Sequence, residues 1–437
     1  MLQKITVAAN LNILVFFLFS FLLTPHSDPP ASAAEKSYHF IRAIAVDPKN
    51  PEILYVASDN QGLIKSMDGG SHWKFINNGI KTELIYDVKV SLLTPHRVYA
   101  AAWGAGFYQS DDGGESWREM NDGLGNTAVG VIVLQADRDK SIERIYIGTS
   151  TDLYERRADE TIWRSITDGL SFWNGPQFQS LVTSGFDSST LWVGTEQGLH
   201  KRVPGTPGWK EVEAMRGKKV TALMSLPRST DLYTGTVNSG GIYFSRDQGA
   251  SWASSGTGLE KAWIRAMASS PSDPKIIYAA TSGLGILKSR DAGELWEKIN
   301  SGLTELDVRA LSVSPKDKNI LFAGTHGAGL FKSVDAGAAW VPMSGLPYEP
   351  LDRQLSILDA QSKGMEHKSA PPAAFRICNR CHGWTDPNLN QKPTPWRVAA
   401  NERAWRKTVI RMMDGAGIRF EDLEEIVTFL ENYTRKG

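Results

Sequence analysis

An eight-residue signature, S-x-D-[GAQ]-G-x-x-W, occurs five times in this chain, at residues 66–73, 110–117, 245–252, 289–296 and 333–340. Successive copies start 44, 135, 44 and 44 residues apart. The long gap holds three periods, so two units lack the signature. Both keep its surroundings. Residues 145–149 (IYIGT) lead to Leu153-Tyr154-Glu155 and then Trp163, and residues 191–195 (LWVGT) lead to Gly198-Leu199-His200 and then Trp209. Seven units of about 44 residues result, a period at which one unit cannot bury its own apolar faces and must stack on its neighbours.

Each unit carries four strand signals. In the sixth they are 264–267, 276–280, 285–288 and a strand starting at Trp296, separated by turn residues at 270–274, 283–284 and 291–293. Forty glycines and fourteen tryptophans suit a chain of tight turns with a recurring large aromatic. Seven four-stranded sheets in a ring bury both faces of each and leave only short edges. The expected fold over residues 35–348 is therefore an all-β seven-bladed β-propeller.

The signature resembles the Asp box, or BNR repeat, of sialidases, sortilin-type receptors, xyloglucanases and photosystem II assembly factors. That resemblance covers about residues 38–346 and implies the propeller fold. The box itself reads as scaffold. Its Asp accepts hydrogen bonds from the N–H groups of its own turn. Its Gly supplies a positive φ, and its Trp packs between blades. If the box joins the third and fourth strands, as in that family, the opposite face carries the loops after each "GT" strand and those between blades. Candidate binding residues there are Trp103, Asn238, His326 and Phe172-Trp173-Asn174. Acids expected on the same face are Glu83, Asp87, Asp122, Glu305 and Asp307.

The pattern changes after Pro347. Residues 349–374 are polar, contain Pro371-Pro372 and read as a linker. Residues 375–437 read as a small all-α domain that begins with Cys378-Asn379-Arg380-Cys381-His382. C-x-x-C-H is the attachment signature of c-type haem: two thiols one turn apart add to the two vinyl groups, and the adjacent His meets the iron. The motif uses both of the chain's two cysteines. A structural zinc site would need further ligands at suitable spacing, and none follows. Downstream, Trp405, Val409 and Met412 share a helical spacing, Gly415-Ala416-Gly417 breaks it, and Leu423, Ile426, Val427 and Leu430 mark a last amphipathic helix. No histidine follows His382, so a strong downstream axial ligand is Met412 or Met413.

This segment is similar to the small class I cytochrome c domain with W-x-x-x-V-x-x-M before a glycine turn. The resemblance implies one covalently bound haem c held by Cys378 and Cys381. It makes His382 the proximal iron ligand and Met412 the sixth, with the adjacent Met413 as alternative.

The N-terminus reads as an export signal: Lys4, an apolar core at 11–23, and a small-residue cleavage site at Ala31-Ser32-Ala33-Ala34, giving a signal peptide over residues 1–34. Retained, it would be a membrane anchor. The rest of the chain is expected in the periplasm or otherwise exported, the side on which c-type haem is attached. With no spare cysteines, no disulfide is expected. Basic and acidic residues balance at 48 each, which gives no footprint for nucleic acid.

His/Met ligation closes both axial positions and favours outer-sphere electron transfer. The expected function is an exported single-electron carrier whose propeller docks a redox partner protein, such as a membrane complex. Alternatives are a propeller enzyme, either a glycosidase needing a carboxylate pair or a haem-coupled dehydrogenase, and an assembly factor for a membrane redox complex. A sialidase-type site would also need an arginine cluster.

Overall fold

The structure, a computed structural model, describes residues 39–347 except 60, 138–140, 171–177, 238–240, 256–257 and 261. The expected signal peptide, linker and haem segment lie outside the described residues, as do Asn238, Phe172-Trp173-Asn174 and the haem residues Cys378, Cys381, His382, Met412 and Met413.

Among the described residues there are seven antiparallel four-stranded blades in chain order, at 39–75, 85–119, 129–165, 180–211, 220–255, 263–298 and 308–342. Each is a meander of four consecutive strands. In the first these are His39–Val46, Leu54–Ser58, Gly62–Ser66 and Lys74–Phe75. The first strand of each blade lies against the first strand of the next, and Val308–Val313 of the last lies against His39–Val46. The ring is thus closed. Backbone pairing of Phe40 with His326 and of His39 with Gly327 ties the last blade to the first. In the sixth blade the strands run Trp263–Ser269, Ile277–Ser282, Gly285–Ser289 and Glu297–Lys298, within a few residues of the sequence expectation.

Second and third strands sit between neighbouring blades and are buried along their length in the first two blades. Their apolar faces interlock from blade to blade. Tyr55, Ala57 and Leu63 of the first pack with Val88, Val98, Ala100 and Tyr108 of the second. Burial of whole apolar side chains at about 1.5–3 kcal/mol each is what holds such a ring.

All five Asp boxes join third and fourth strands and are internally bonded. In the sixth blade Ser289 Oγ accepts from Gly293 N at 2.7 Å, and Asp291 Oδ1 accepts from Leu295 N at 2.9 Å. The other four repeat this geometry. Between blades, Trp117 and Trp340 donate their indole N–H to Ile76 O and Ile299 O of the preceding blade, both at 2.7 Å. The preceding blade also reaches forward. Lys65 Nζ donates to Gly113 O at 2.7 Å, Lys288 Nζ to Ala336 O at 2.7 Å, and Lys332 Nζ closes the circle on Gly69 O at 3.0 Å. The box therefore works as inter-blade mortar.

In blades three and four arginine stands at the box-serine position. Arg156 donates to Gln109 Oε1 at 3.0 Å and to Glu160 O, while Arg202 Nη1 donates to Ile166 O at 3.1 Å. In the third blade Glu160 Oε2 accepts from Arg157 N at 3.0 Å, closing the turn with a bond the boxes do not have. The tryptophans remain, and Trp163 and Trp209 bond to Met120 O and Ile166 O of the preceding blade at 2.7 and 2.6 Å.

Candidate functional site

A repeated irregularity builds the site. Near its start, the inner strand of six blades slips register by one residue against the second strand, leaving out Arg42, Tyr86, Gly130, Thr221, Arg265 and Arg309. In the fourth blade Gln179 N bonds to Gly194 O at 3.0 Å while Ser180 already pairs with Gly194, so Gln179 is the surplus residue. A bulge frees one residue from the ladder and re-aims its side chain. The result is one bulge residue per blade around the axis. All lie at the end of the ring opposite the boxes, because inner strands start where second strands end.

The seven are unevenly charged. Consecutive blades six, seven and one give Arg265, Arg309 and Arg42, and blade two gives Tyr86. Blades three to five give Gly130, Gln179 and Thr221. The Arg42 guanidinium lies 4.4 Å over the Tyr86 ring, and Tyr86 stacks on Trp103 at 4.7 Å. Gly130 leaves room for that indole: a Cβ there would sit 3.2 Å from the Trp103 ring. Arg265 lies 3.5 Å over the Trp263 ring.

Residues at the ends of second strands and before inner strands complete the mouth. Arg42 Nε pairs with Asp59 Oδ1 at 2.5 Å. Arg265 Nε donates to Ser282 Oγ at 2.7 Å, and Ser282 Oγ donates to Asp307 Oδ1 at 2.8 Å. Asp307 Oδ2 lies 3.5 Å from Arg309 Nη2 and 3.8 Å from His326 Nδ1. His326 stacks at a tilt on Phe40, 4.5 Å between centroids, across the seam that closes the ring.

Among the described residues the guanidinium groups of Arg42, Arg265 and Arg309 gather with the carboxylates of Asp59, Asp307 and Glu305 in a half-buried mouth. Burial lowers the Arg42 pKa, but Asp59 outweighs it and raises it, so Arg42 stays charged. Burial and then Arg309 pull Arg265 down to about 10. Arg309 is lowered by burial and by Arg42, against the pull of Asp307. Burial, then the charge of Arg309, push His326 down to about 4, so its imidazole is neutral near pH 7. The indole N–H groups of Trp103 and Trp263 are buried and meet no acceptor among the described residues. Planar guanidinium forks beside aromatic walls suit an anion with two oxygens, above all a carboxylate.

Of the residues singled out in the sequence, Trp103, His326 and Asp307 come together here. Glu305 supports the site by accepting from Asp307 N at 2.9 Å. Asp87 is committed to structure, accepting from Ile132 N of the next blade at 2.9 Å and pairing with Lys89 at 2.7 Å. Glu83 and Asp122 take part through backbone carbonyls, to Gly62 N and Trp163 N. Arg42, Tyr86, Arg265 and Arg309 were not singled out. Their signal was a column at the repeat period, Ile41-Arg42-Ala43, Ile264-Arg265-Ala266 and Val308-Arg309-Ala310. Among the described residues no cluster of His, Cys, Asp and Glu is arranged to hold a metal ion, and no helix is long and apolar enough to cross a membrane.

No protein-family model matches this sequence, and no curated protein matches it. Solved structures do match in fold. The extracellular domain of a one-component system of B. thetaiotaomicron is 14% identical with a TM-score of 0.55, over 68% of this chain and 38% of that one. YCF48 from Cyanidioschyzon merolae is 14% identical with a TM-score of 0.52, over 68% of this chain and 96% of that one. YCF48 has also been solved bound to a D1 peptide. An ancestral GH74 enzyme is 14% identical with a TM-score of 0.52, over 70% of this chain and 55% of that one. At such identities the likeness is one of fold, and it identifies the described residues as a β-propeller.

Proposed function

We propose that this chain is an exported electron carrier with two working parts. The C-terminal segment carries one haem c on Cys378 and Cys381, with His382 and Met412 as axial ligands, and the propeller is the module that docks a protein partner. The single observation behind the haem is the motif Cys378-Asn379-Arg380-Cys381-His382, which uses every cysteine in the chain. A haem with both axial positions filled passes single electrons and leaves no open site for oxygen. The propeller contributes a ring with an arginine-lined, aromatic-walled mouth, which would engage a carboxylate-bearing surface of the partner. Export fits both the N-terminal signal and the compartment in which such haems are attached.

Covalent attachment is directly testable. Haem should stay with the chain through a denaturing gel, detected by its peroxidase activity, and should be lost in the Cys378→Ser, Cys381→Ser double variant. A wild-type chain that carries no haem under conditions that mature other c-type cytochromes would overturn this reading.

A second reading keeps the docking and drops electron transfer: a factor that assists assembly of a membrane redox complex. It is favoured by the YCF48 likeness, since that propeller has been solved with a peptide bound. The glycosidase alternative draws less support. Asp59 and Asp307, the carboxylates of the mouth, are both engaged by arginine rather than poised as an acid and nucleophile pair.

A further inference from the structure

We propose that Asn78 is a modification site. Its side-chain amide is lost through ring closure with Gly79, and the isoaspartate that forms loosens the first blade from the second.

A repeated turn clasps the blades together. Residues 77–80, 121–124, 167–170 and 300–303 each follow the fourth strand of a blade, and the fourth residue's N–H bonds to the first residue's carbonyl, as in Ile80 N to Asn77 O at 2.9 Å. The second residue's carbonyl then accepts from a tryptophan N–H of the next blade. These bonds are Trp117 N to Asn78 O at 2.9 Å, Trp163 N to Asp122 O at 2.8 Å, Trp209 N to Asp168 O at 3.3 Å and Trp340 N to Ser301 O at 2.8 Å. The third residue is always glycine, with φ of 96°, 92°, 86° and 87° in turn. At residue 79 glycine is required twice over. The φ is positive, and a Cβ would lie 2.4 Å from Trp117 O. The clasp thus dictates glycine in third place and leaves the second place open, where the four turns carry Asn, Asp, Asp and Ser.

That second residue decides the chemistry. Asparagine is the thermolabile choice, and a following glycine offers an amide nitrogen with no side chain to shield it. Asn78 and Gly79 are both exposed, and the Gly79 N–H meets no acceptor among the described residues. The Asn78 amide is held by a bond from Nδ2 to Glu115 O at 3.2 Å. Once hydroxide removes the Gly79 amide proton, the nitrogen attacks Asn78 Cγ. A C–N bond forms, the bond from Cγ to Nδ2 breaks, and the amide nitrogen leaves as ammonia with a proton from water. A second water opens the five-membered ring. Opening at Cγ gives aspartate, and opening at the main-chain carbonyl gives isoaspartate, whose backbone runs through the side-chain carbon. The net change replaces NH2 by OH, with ammonia released and nothing oxidised or reduced. Asp122 and Asp168 present carboxylates, which repel an anionic nitrogen, and Ser301 has no carbonyl to attack.

Isoaspartate inserts one carbon into the main chain where there is no slack. Gly79 lies against Trp117 O, and Asn78 O must meet Trp117 N. Both products also lose the donor to Glu115 O and set a carboxylate against that carbonyl. The Trp117 indole bond to Ile76 O and the Lys65 bond to Gly113 O remain, so the seam loosens at one clasp and stays closed elsewhere.

The test incubates the folded full-length chain at neutral and mildly alkaline pH and follows the peptide containing Asn78 by mass after digestion. Two products heavier by the exchange of NH2 for OH are expected, faster at the higher pH and several-fold faster than any change at Asp122 or Asp168. The isoaspartate product should accept a methyl group from an isoaspartyl methyltransferase. The same chain unfolded in urea gives the unconstrained rate. A peptide that converts in urea but stays intact in the folded chain overturns the proposal. Asn78→Ser, the residue that the turn after the sixth blade carries, should abolish the products and keep the clasp. Incubated wild type should unfold at a lower urea midpoint than fresh protein, and incubated Asn78→Ser should fall less. Equal falls in the two overturn the loosening. Asn174-Gly175, the chain's other Asn-Gly pair, lies outside the described residues and is present in both proteins, so it drops out of that difference. Fresh Asn78→Asp has the lost hydrogen bond without the longer backbone, and its midpoint should lie between those of fresh wild type and the isoaspartate form. A midpoint as low as that of the isoaspartate form would show that the extra carbon does nothing.

Discussion

Lowering the pH should weaken the seam of the ring through His326. Its imidazole lies across the pairing of the first and last blades, on Phe40 and beside Arg309 and Asp307. Burial and the Arg309 charge hold its pKa near 4, against about 6.5 in an unfolded chain. The folded state therefore prefers the neutral ring. Above pH 6.5 neither state binds the proton and nothing is lost. Between 6.5 and 4 the unfolded chain takes up a proton that the folded chain refuses, so stability falls as pH falls. The shift sets a ceiling of about 3 kcal/mol, and because the side chain is 30% exposed, solvent screening brings the expectation to about 1–2 kcal/mol. The assay is urea unfolding of wild type and His326→Gln at several pH values from 7 to 4. Other groups titrate in both proteins, so the readout is the difference between them. Wild type should lose about 1–2 kcal/mol relative to the variant over this window. A difference that stays constant from pH 7 to 4 would refute the reasoning.

Three further outcomes are expected. Gly283 and Gly302 both hold positive φ, at 92° and 87°, but a Cβ at Gly283 meets open space whereas one at Gly302 would lie 2.0 Å from Trp340 O. Gly283→Ala should cost about 1 kcal/mol in urea unfolding, and Gly302→Ala at least about 2 kcal/mol more because backbone must move. Arg156 is fully buried on Phe107 and Trp163, and burial pulls its pKa down to about 10. Arg156→Met should therefore change stability by less than about 1 kcal/mol, in either direction, while Arg156→Ala should cost about 3 kcal/mol by leaving a cavity. For the haem, Met412→Ala should open the iron to carbon monoxide in the reduced visible spectrum, and Met413→Ala should leave it closed.

Where the sequence spoke clearly about the fold, it did so through repetition. Five boxes at multiples of one period give the blade count, and the four strand signals of a unit recur in every blade. The tryptophans at 163 and 209 located the two box-less blades because their packing role outlasted the box. Arg156 and Arg202 hid the substitution, since an arginine gives no hint of standing in for a turn serine until its N–H groups are seen on neighbouring acceptors. The mouth was legible only in part. Trp103 and His326 follow their "GT"-type strands and could be placed by loop position. Arg42, Arg265 and Arg309 sit inside strands, between an apolar residue and Ala, where simple alternation makes them look like ordinary solvent-facing positions. The bulge that turns them to the axis is a matter of register between two strands, which one strand's sequence does not carry. Asp59 and Asp307 are ordinary loop acids until the ring brings arginines from three blades against them.

The central claim is the proposal that the C-terminal segment binds one haem covalently and closes both of its axial positions. Its most direct test is the visible spectrum of the reduced holoprotein, with and without carbon monoxide. The proposal predicts a c-type spectrum that the gas leaves unchanged, as expected if His382 and Met412 fill both axial positions. A spectrum that shifts on adding carbon monoxide would contradict it, because an open or labile sixth position belongs to a sensor or a catalyst.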